Sequence, residues 1–413
     1  MSIELFFPGP RSPLALRVGP LAGELDGFAA WLAAQGYARG TGENKLRLVK
    51  HLSVWLEREG LAPEALDEEC FDRFLRTRGA PRKTNGGLVA GRELLAHLRR
   101  GGRIPDAPED TGSDDAITRI ERTYEHFLVN ERGLSPLTVI NYLPVVHAFL
   151  TESFGGRAVA LETLGARDVN RFIVRHSQRF ARSHAKGLST ALRSFLRHLY
   201  QRGAIAADLA GAIPSITNWR LSELPKSLPP EKVESVLASC DRSTATGRRD
   251  HAILLLLARL GLRGGEVTTL TLDDLDWDKG IVTLSGKGQR REALPLPEDV
   301  GRAMAAYLRD GRPPCATRRV FVRAVAPHRG FSSSMAVCCI VRRALARAGI
   351  DAPLKGAHLL RRSLACGMLN NGASLEEIGR ILRHRHPETT QIYAKLDLEA
   401  LRVLAPAWPG GAS

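Results

Sequence analysis

The chain has 413 residues, 44% of them hydrophobic and 25% charged, a composition that builds a globular core and excludes a low-complexity polymer. Lysine and arginine outnumber aspartate and glutamate by 59 to 44, leaving a formal charge of +15 that points to an anionic partner, nucleic acid ahead of a membrane surface. No apolar run spans a bilayer, and the six scattered cysteines form neither a disulfide framework nor a Cys/His ligand spacing, so a cytoplasmic protein with free thiols and no metal is expected.

In chain order, residues 1–100 read as helices, with Phe28, Trp31 and Leu32 on one apolar stripe. The Gly-, Pro- and Asp-rich stretch GGRIPDAPEDTGSDD marks a linker over 101–116. Residues 117–213 are helical again, and a shift of 97 residues lays Gly36 on Gly133, Thr41 on Thr138, Asn44 on Asn141, Leu46 on Leu143 and Val49 on Val146. Two helical domains of related build follow from that match. Within the second, no acidic residue occurs from Arg171 to Ala207. Arg171, Arg175, Arg179 and Arg182 stand at helical spacing and are expected on one face. Lys186, Arg193 and Arg197 decorate the next helix, whose apolar stripe is Leu188, Leu192, Phe195 and Leu199. A solvated face normally mixes both signs, so one sign over this length fits phosphate contacts.

Prolines in IPSITNWRLSELPKSLPP mark a second linker, 214–230, and residues 231–413 mix patterns. An apolar helix ends at GLRGGEV, IVTL and EALPL flank the turn GKG as a hairpin, and helical patterns return from Ser332. The fold class is mainly α with a small antiparallel β-sheet. Arg263, Lys287, His358, Arg361, His384 and Tyr393 stand out as a set. It contains no carboxylate pair, metal cluster or serine elbow. Guanidinium forks bind the non-bridging oxygens of a phosphodiester at two points, and histidines donate to those oxygens or move protons. A tyrosine hydroxyl attacks phosphorus once cationic neighbours make it reactive, and a lysine on a hairpin can protonate the leaving oxygen.

Those motifs, in that order from about Leu224 to Leu404, resemble the catalytic domain of tyrosine recombinases, the integrase family of site-specific DNA recombinases. GLRGGEV is similar to the first arginine motif, SGKGQRREALPL to the lysine hairpin, HLLRRS to the second box, and LRHRHPETTQIY to the last box with its nucleophile. The resemblance implies catalytic roles for Arg263, Lys287, His358, Arg361, His384 and Tyr393, with Glu266 orienting neighbours. His386, seven residues before Tyr393, misses the family spacing. Arg383 stands where the family usually has glycine, and Arg362 where a histidine commonly follows the second arginine.

The resemblance further implies that 117–213 is a helical, SAM-like core-binding domain and that residues 1–100 are an addition serving extra DNA binding or oligomerisation. It implies a cytoplasmic, nucleoid-associated integrase or transposase of a mobile element, working through a 3′-phosphotyrosyl intermediate without cofactor. Double-stranded DNA is the implied partner, with four protomers on paired sites and possible accessory recombinases or DNA-bending proteins. A housekeeping Xer-like resolvase, a type IB topoisomerase and a DNA-binding protein without catalysis are the alternatives. The leucines Leu396, Leu398, Leu401 and Leu404 suit a tail docked either on a neighbouring protomer or within the chain.

Overall fold

The computed structural model describes residues 2–8, 12–78, 85–106, 115–177, 182–215, 226–285 and 291–396. The chain forms two compact units, residues 1–106 together with 223–413, and residues 107–222. As the sequence predicts, it is mainly helical with one small antiparallel sheet. No helix among the described residues is long and apolar enough to cross a membrane.

The N-terminal helices are α1 (Ser12–Leu16), α2 (Leu25–Ala34), α3 (Arg39–Arg58), α4 (Glu68–Thr77) and α5 (Asn85–Arg100). Helix α2 buries Leu25, Phe28, Ala29 and Leu32, the 3–4 spacing that makes one helical face apolar. It stops at Gly36, whose φ of +77° suits a residue without Cβ. Asp67 caps α4 by accepting from the Cys70 backbone N–H at 2.7 Å. Leu46, Val49, Leu52, Phe71, Phe74 and Leu94 join α2 in a single core. Beside it, the His328 backbone N–H donates to the Gln35 carbonyl at 3.1 Å, so this end of the domain abuts the chain's later half.

The second unit runs through α6 (Ala116–His126), a π-helical turn over Phe127–Glu131, α7 (Pro136–Phe154), α8 (Ala166–Ser177) and α9 (Arg182–Gln201). Ser135 caps α7 ahead of a proline in its first turn, and Gly155 closes it at φ +51°. Its core gathers Tyr124, Phe127, Val146, Phe149, Phe172, Leu192, Phe195 and Leu196. One expectation fails here. Helix α8 ends at Ser177 and Arg182 opens α9, so the four arginines do not share one helix face. A spacing rule holds only while the helix continues, and this one stops before the fourth arginine. Arg179 lies outside the described residues.

The N-terminal helices repeat this order element by element. Long helix follows short in each, a 3-10 turn follows (Pro63–Ala65, Leu161–Thr163), and two more helices complete the set. Gly36 and Gly133 both take positive φ after the first helix, and Gly102 and Gly203 after the last. Val49 with Val146, Leu52 with Phe149 and Phe74 with Phe172 are buried in matching places. His97 packs on Phe28 with ring centroids 5.5 Å apart, and His198 packs on Phe127 at 4.4 Å.

The remainder comprises α10 (Pro230–Ala238), α11 (Ala245–Arg259), α12 (Gly264–Thr269), β1 (Leu275–Asp276), β2 (Ile281–Ser285), β3 (Arg291–Pro295), α13 (Glu298–Asp310), α14 (Met335–Arg347), α15 (Ala357–Asn370) and α16 (Leu375–Ile381). The strands pair antiparallel in the order β1-β2-β3, with Val282 opposite Leu294 and Ser285 opposite Arg291. Lys287 lies outside the described residues, between β2 and β3. The unbroken run Ala252–Ala258 is buried, so α11 passes through the middle of this core. Tyr307 is packing, as its sequence context predicts: it stacks on Phe321 at 5.5 Å.

Candidate active site

The GLR motif sits where α11 turns into α12. Gly261 has φ +58°, and a Cβ there would come within 2.7 Å of the Leu382 side chain, so the turn requires glycine. That turn delivers Arg263 to the N-terminal end of α12. Its backbone N–H donates to Glu266 Oε2 at 2.8 Å, its guanidinium donates to Glu266 Oε1 at 2.7 Å, and Nη2 donates to the Arg383 carbonyl at 3.1 Å.

Arg361 projects from α15 and is only 4% exposed. Its two terminal nitrogens donate to the carbonyls of Gly261 and Leu382. Burial, and then the charges of Arg263 and Arg383, bring its pKa down to about 10, which leaves it cationic at neutral pH. His358 lies one turn before it on α15. Partial desolvation and the cations Arg361, Arg362 and Arg263 depress its imidazole pKa.

From α16 the chain turns through Arg383 into His384 and the 3-10 turns Pro387–Thr389 and Gln391–Leu396. His384 Nδ1 is hydrogen-bonded to the Thr390 hydroxyl at 2.8 Å, which leaves Nε2 for a substrate. Burial, Arg361, Arg263 and Arg383 together push its pKa down to about 4, so the ring is neutral at neutral pH. The Tyr393 backbone N–H donates to the Thr390 carbonyl at 3.0 Å, which ties the tyrosine's turn to the histidine's partner. Tyr393 itself is 4% exposed, packed with Ala365, Cys366, Ile378 and Leu382. Burial and Cys366 raise its phenol pKa, against the opposing pull of Arg361 and Arg362. His386 is exposed, and among the described residues its ring makes no hydrogen bond.

The amino-acid sequence does not by itself reveal the job of Arg383. Its φ is +54°, the left-handed region in which glycine is at ease, and it is the only non-glycine residue there among the described residues. Its side chain is 5% exposed, and Nη2 pairs with Glu266 Oε2 at 2.8 Å. Nε comes within 3.9 Å of Glu292 on β3. Glu266 is thus held between two arginines; although burial opposes ionisation, Arg383 and Arg263 keep its pKa below the ordinary value. The signal was an arginine in place of glycine with an acid three residues after Arg263, but pairing across 117 positions needs the fold. Among the described residues no His/Cys/Asp/Glu group could hold a metal ion.

Of the remaining basic residues, several are already partnered. Arg175 pairs with Glu152 at 2.5 Å, Arg171 approaches Asp168 at 3.5 Å, and Arg193 donates to the Ile213 carbonyl at 3.2 Å. Lys186 and Arg197 are carried on α9, and the Arg182 side chain lies outside the described residues. Arg193 and Arg197 line a groove of about 440 Å³ with Arg132, Tyr142 and Thr190. Arg318 is paired with Asp273, and Arg319 donates to the Thr269 carbonyl.

Comparison with known proteins agrees with this geometry. Residues 226–399 match the phage integrase family, and residues 122–203 match the phage integrase N-terminal SAM-like domain. A protein of Sinorhizobium fredii named as a putative integrase/recombinase, y4rA, is 45% identical over 403 residues, covering 98% of this chain and 96% of its own. Tyrosine recombinase XerD of Listeria innocua is 33% identical over 277 residues, 65% of this chain and 91% of its own. The XerH site-specific recombinase bound to palindromic difH substrate has the same fold, with a TM-score of 0.54 at 18% identity over 71% of this chain and 85% of that one. The chain belongs to the phage integrase family of tyrosine recombinases. It is a site-specific recombinase, an enzyme that cuts and rejoins DNA.

Proposed function

We propose that this recombinase serves a mobile element and that Tyr393 is its nucleophile, with Arg263, Lys287, His358, Arg361 and His384 as the rest of the catalytic set. One observation carries the reading. Arg361 and Arg263 grip the successive carbonyls of Leu382 and Arg383, next comes His384, and His384 is tied to Thr390, three residues before Tyr393. Two fixed guanidinium groups and a neutral imidazole therefore share one turn with the tyrosine.

In this reading the scissile phosphate of duplex DNA lies on the arginines, whose positive charge stabilises the pentavalent transition state. His384 Nε2 and His358 donate to its oxygens or move protons. The Tyr393 oxygen bonds to phosphorus as the bond from phosphorus to the 5′ oxygen breaks. The phenolic proton leaves to solvent or to His384, and the 5′ oxygen takes a proton, a task suited to Lys287. A 5′-hydroxyl of a second duplex then reverses the step, and the phosphotyrosyl bond conserves the energy. Burial keeps the phenol pKa high in the free protein, so attack calls for DNA to draw Tyr393 towards the arginines.

The SAM-like unit, 117–213, would grip the duplex through Arg171, Arg175, Arg179, Arg182, Lys186, Arg193 and Arg197, joined to a catalytic part over 231–413. Four protomers would pair two sites, with accessory recombinases or DNA-bending proteins as possible partners. The helical addition over 1–100 supports a mobile-element role over a housekeeping Xer-like one, since the XerD match leaves about a third of this chain uncovered.

The test is a nicked duplex that traps the cleaved state, made from the ends of the element carrying the gene and incubated with wild type and with Tyr393→Phe. A covalent protein–DNA band in the wild type alone is expected. Binding without any such band would sink the assignment of Tyr393.

A further inference from the structure

The repeated helical domain at the N-terminus carries a feature that the core-binding repeat also has. In the second copy the acid-free run begins on α8; in the first, no acidic residue occurs from Arg73 to Arg92, a stretch that includes Arg76, Arg78, Arg82 and Lys83. The two runs begin within two residues of each other in the repeat, after Asp72 and after Asp168. Arg73–Phe74 on α4 corresponds to Arg171–Phe172 on α8, with both phenylalanines buried in their cores. Shared helical periodicity explains matched apolar positions but not a matched, one-signed charge run.

The surroundings of these cations are informative. Arg73, Arg76 and Arg78 stand on and just after the C-terminal half of α4. Arg73 lies over the Trp55 ring at 5.3 Å, and Arg78 lies over the Phe74 ring at 5.7 Å. Rings thus hold the guanidinium groups in place without neutralising them. On α3, which supplies Trp55, burial and then the charges of Arg78 and Lys50 depress the His51 pKa. Among the described residues Lys50, Arg73, Arg76 and Arg78 have no carboxylate partner. Three other cations of this domain are paired: Arg99 with Glu68 at 2.7 Å, Lys45 with Glu93 at 2.6 Å, and Arg103 with Glu24 at 2.8 Å. Unpaired like charges packed together repel one another, and an anionic partner relieves that repulsion.

We infer that the N-terminal domain is a second, duplicated core-binding domain and that the α3–α4 surface around Lys50, Arg73, Arg76 and Arg78 binds the phosphate backbone of duplex DNA. The inference rests on DNA being the partner of the whole chain. It goes further by giving residues 1–106 a job, that of lengthening the grip on DNA beyond the SAM-like and catalytic parts. This grip is sequence-independent, because phosphate contacts set hold and register while base edges set specificity.

The test uses the full chain and a fluorescent duplex of arbitrary sequence, with affinity read by anisotropy across a salt series for wild type and for K50Q/R73Q/R76Q/R78Q. Every phosphate that a substitution leaves unneutralised flattens the slope of log affinity against log salt by about 0.9, so a fall in slope of about 3.6 is expected. Hydrogen exchange over α4 should slow on adding the duplex to wild type and not to the variant. An unchanged slope overturns the proposal, and so does a variant that changes only its oligomeric mass. If circular dichroism shows the quadruple variant misfolded, K50Q/R76Q, which disturbs neither ring stack, gives the reading, with a slope change of about 2 expected. A wild type that forms no phosphotyrosyl adduct yet loses slope on substitution would strike the assignment of Tyr393 and leave this surface standing.

Discussion

The arginine side and the tyrosine side of the site are built differently. Arg263 and Arg361 spring from α12 and α15, whose inner faces belong to the large core around α11, and their guanidinium groups are tied to backbone carbonyls. Tyr393 sits in a 3-10 turn against a small cluster of Ala365, Cys366, Ile378 and Leu382. A large core and backbone ties fix charge in advance, which is what transition-state stabilisation needs. The proposed nucleophile has to travel, and a single 3-10 turn on a small cluster moves more readily than a helix rooted in the core. Charge is preorganised here, and reactivity is delivered.

Substitutions can break that contrast or sharpen it. The largest effect is expected of Arg361→Ala, which removes charge and both carbonyl ties: cleavage should fall by about 10²–10³ at saturating DNA. Arg361→Lys should lose most of that too, because an ammonium cannot reproduce the fork. Quantifying the covalent product checks both. If lysine restored full activity, the arginine side would need only charge and not geometry.

Arg383→Gly comes next. Breaking a buried ion pair costs about 3 kcal/mol, and relieving the left-handed backbone returns about 1 kcal/mol, for a net loss of about 2 kcal/mol in urea unfolding. Glu266 should then claim Arg263 more fully, and cleavage should fall more than DNA affinity does. A stabilised variant would mean that the backbone strain outweighs the pair.

Thr390→Val tests the join between the two sides. Freeing His384 of its Nδ1 partner should slow cleavage about tenfold, with folding little changed, as single-turnover rates would show. The remaining effect is one of pH. The folded His384 pKa is depressed to about 4 from 6.5. Below about pH 6.5 the unfolded chain takes up a proton that the folded ring refuses. This group therefore subtracts stability as pH falls from there towards about 4, and is silent above. An assigned His384 imidazole resonance titrating near 6.5 in the free protein would show that neither burial nor the arginines shift the ring.

How much of this is legible in the sequence follows from how local each signal is. Arg263, His358, Arg361, His384 and Tyr393 can be found because each sits in a short motif and the motifs keep their order. The antiparallel strands flanking GKG can be read because apolar runs on both sides of glycines specify them locally. The expected arginine face fails at a helix end that no residue between Ser177 and Arg182 announces. The domain repeat is only partly visible, because its offset drifts from 97 at Gly36 and Gly133 to 101 at Gly102 and Gly203, as the turns between helices differ in length. Arg383 reads as a blemish, since nothing local says that Glu266 waits for it.

Consider last the Glu266 carboxylate between its two arginines. Counting Arg361, these groups form an assembly of three cations and one anion, a surplus of two positive charges. A resting phosphodiester brings one negative charge, and the pentavalent phosphorane formed when a phenolate attacks it brings two. In the proposed role the assembly is therefore mismatched to its resting substrate and balanced against the species at the top of the barrier. Small doubly charged oxyanions such as tungstate or molybdate should compete with DNA there.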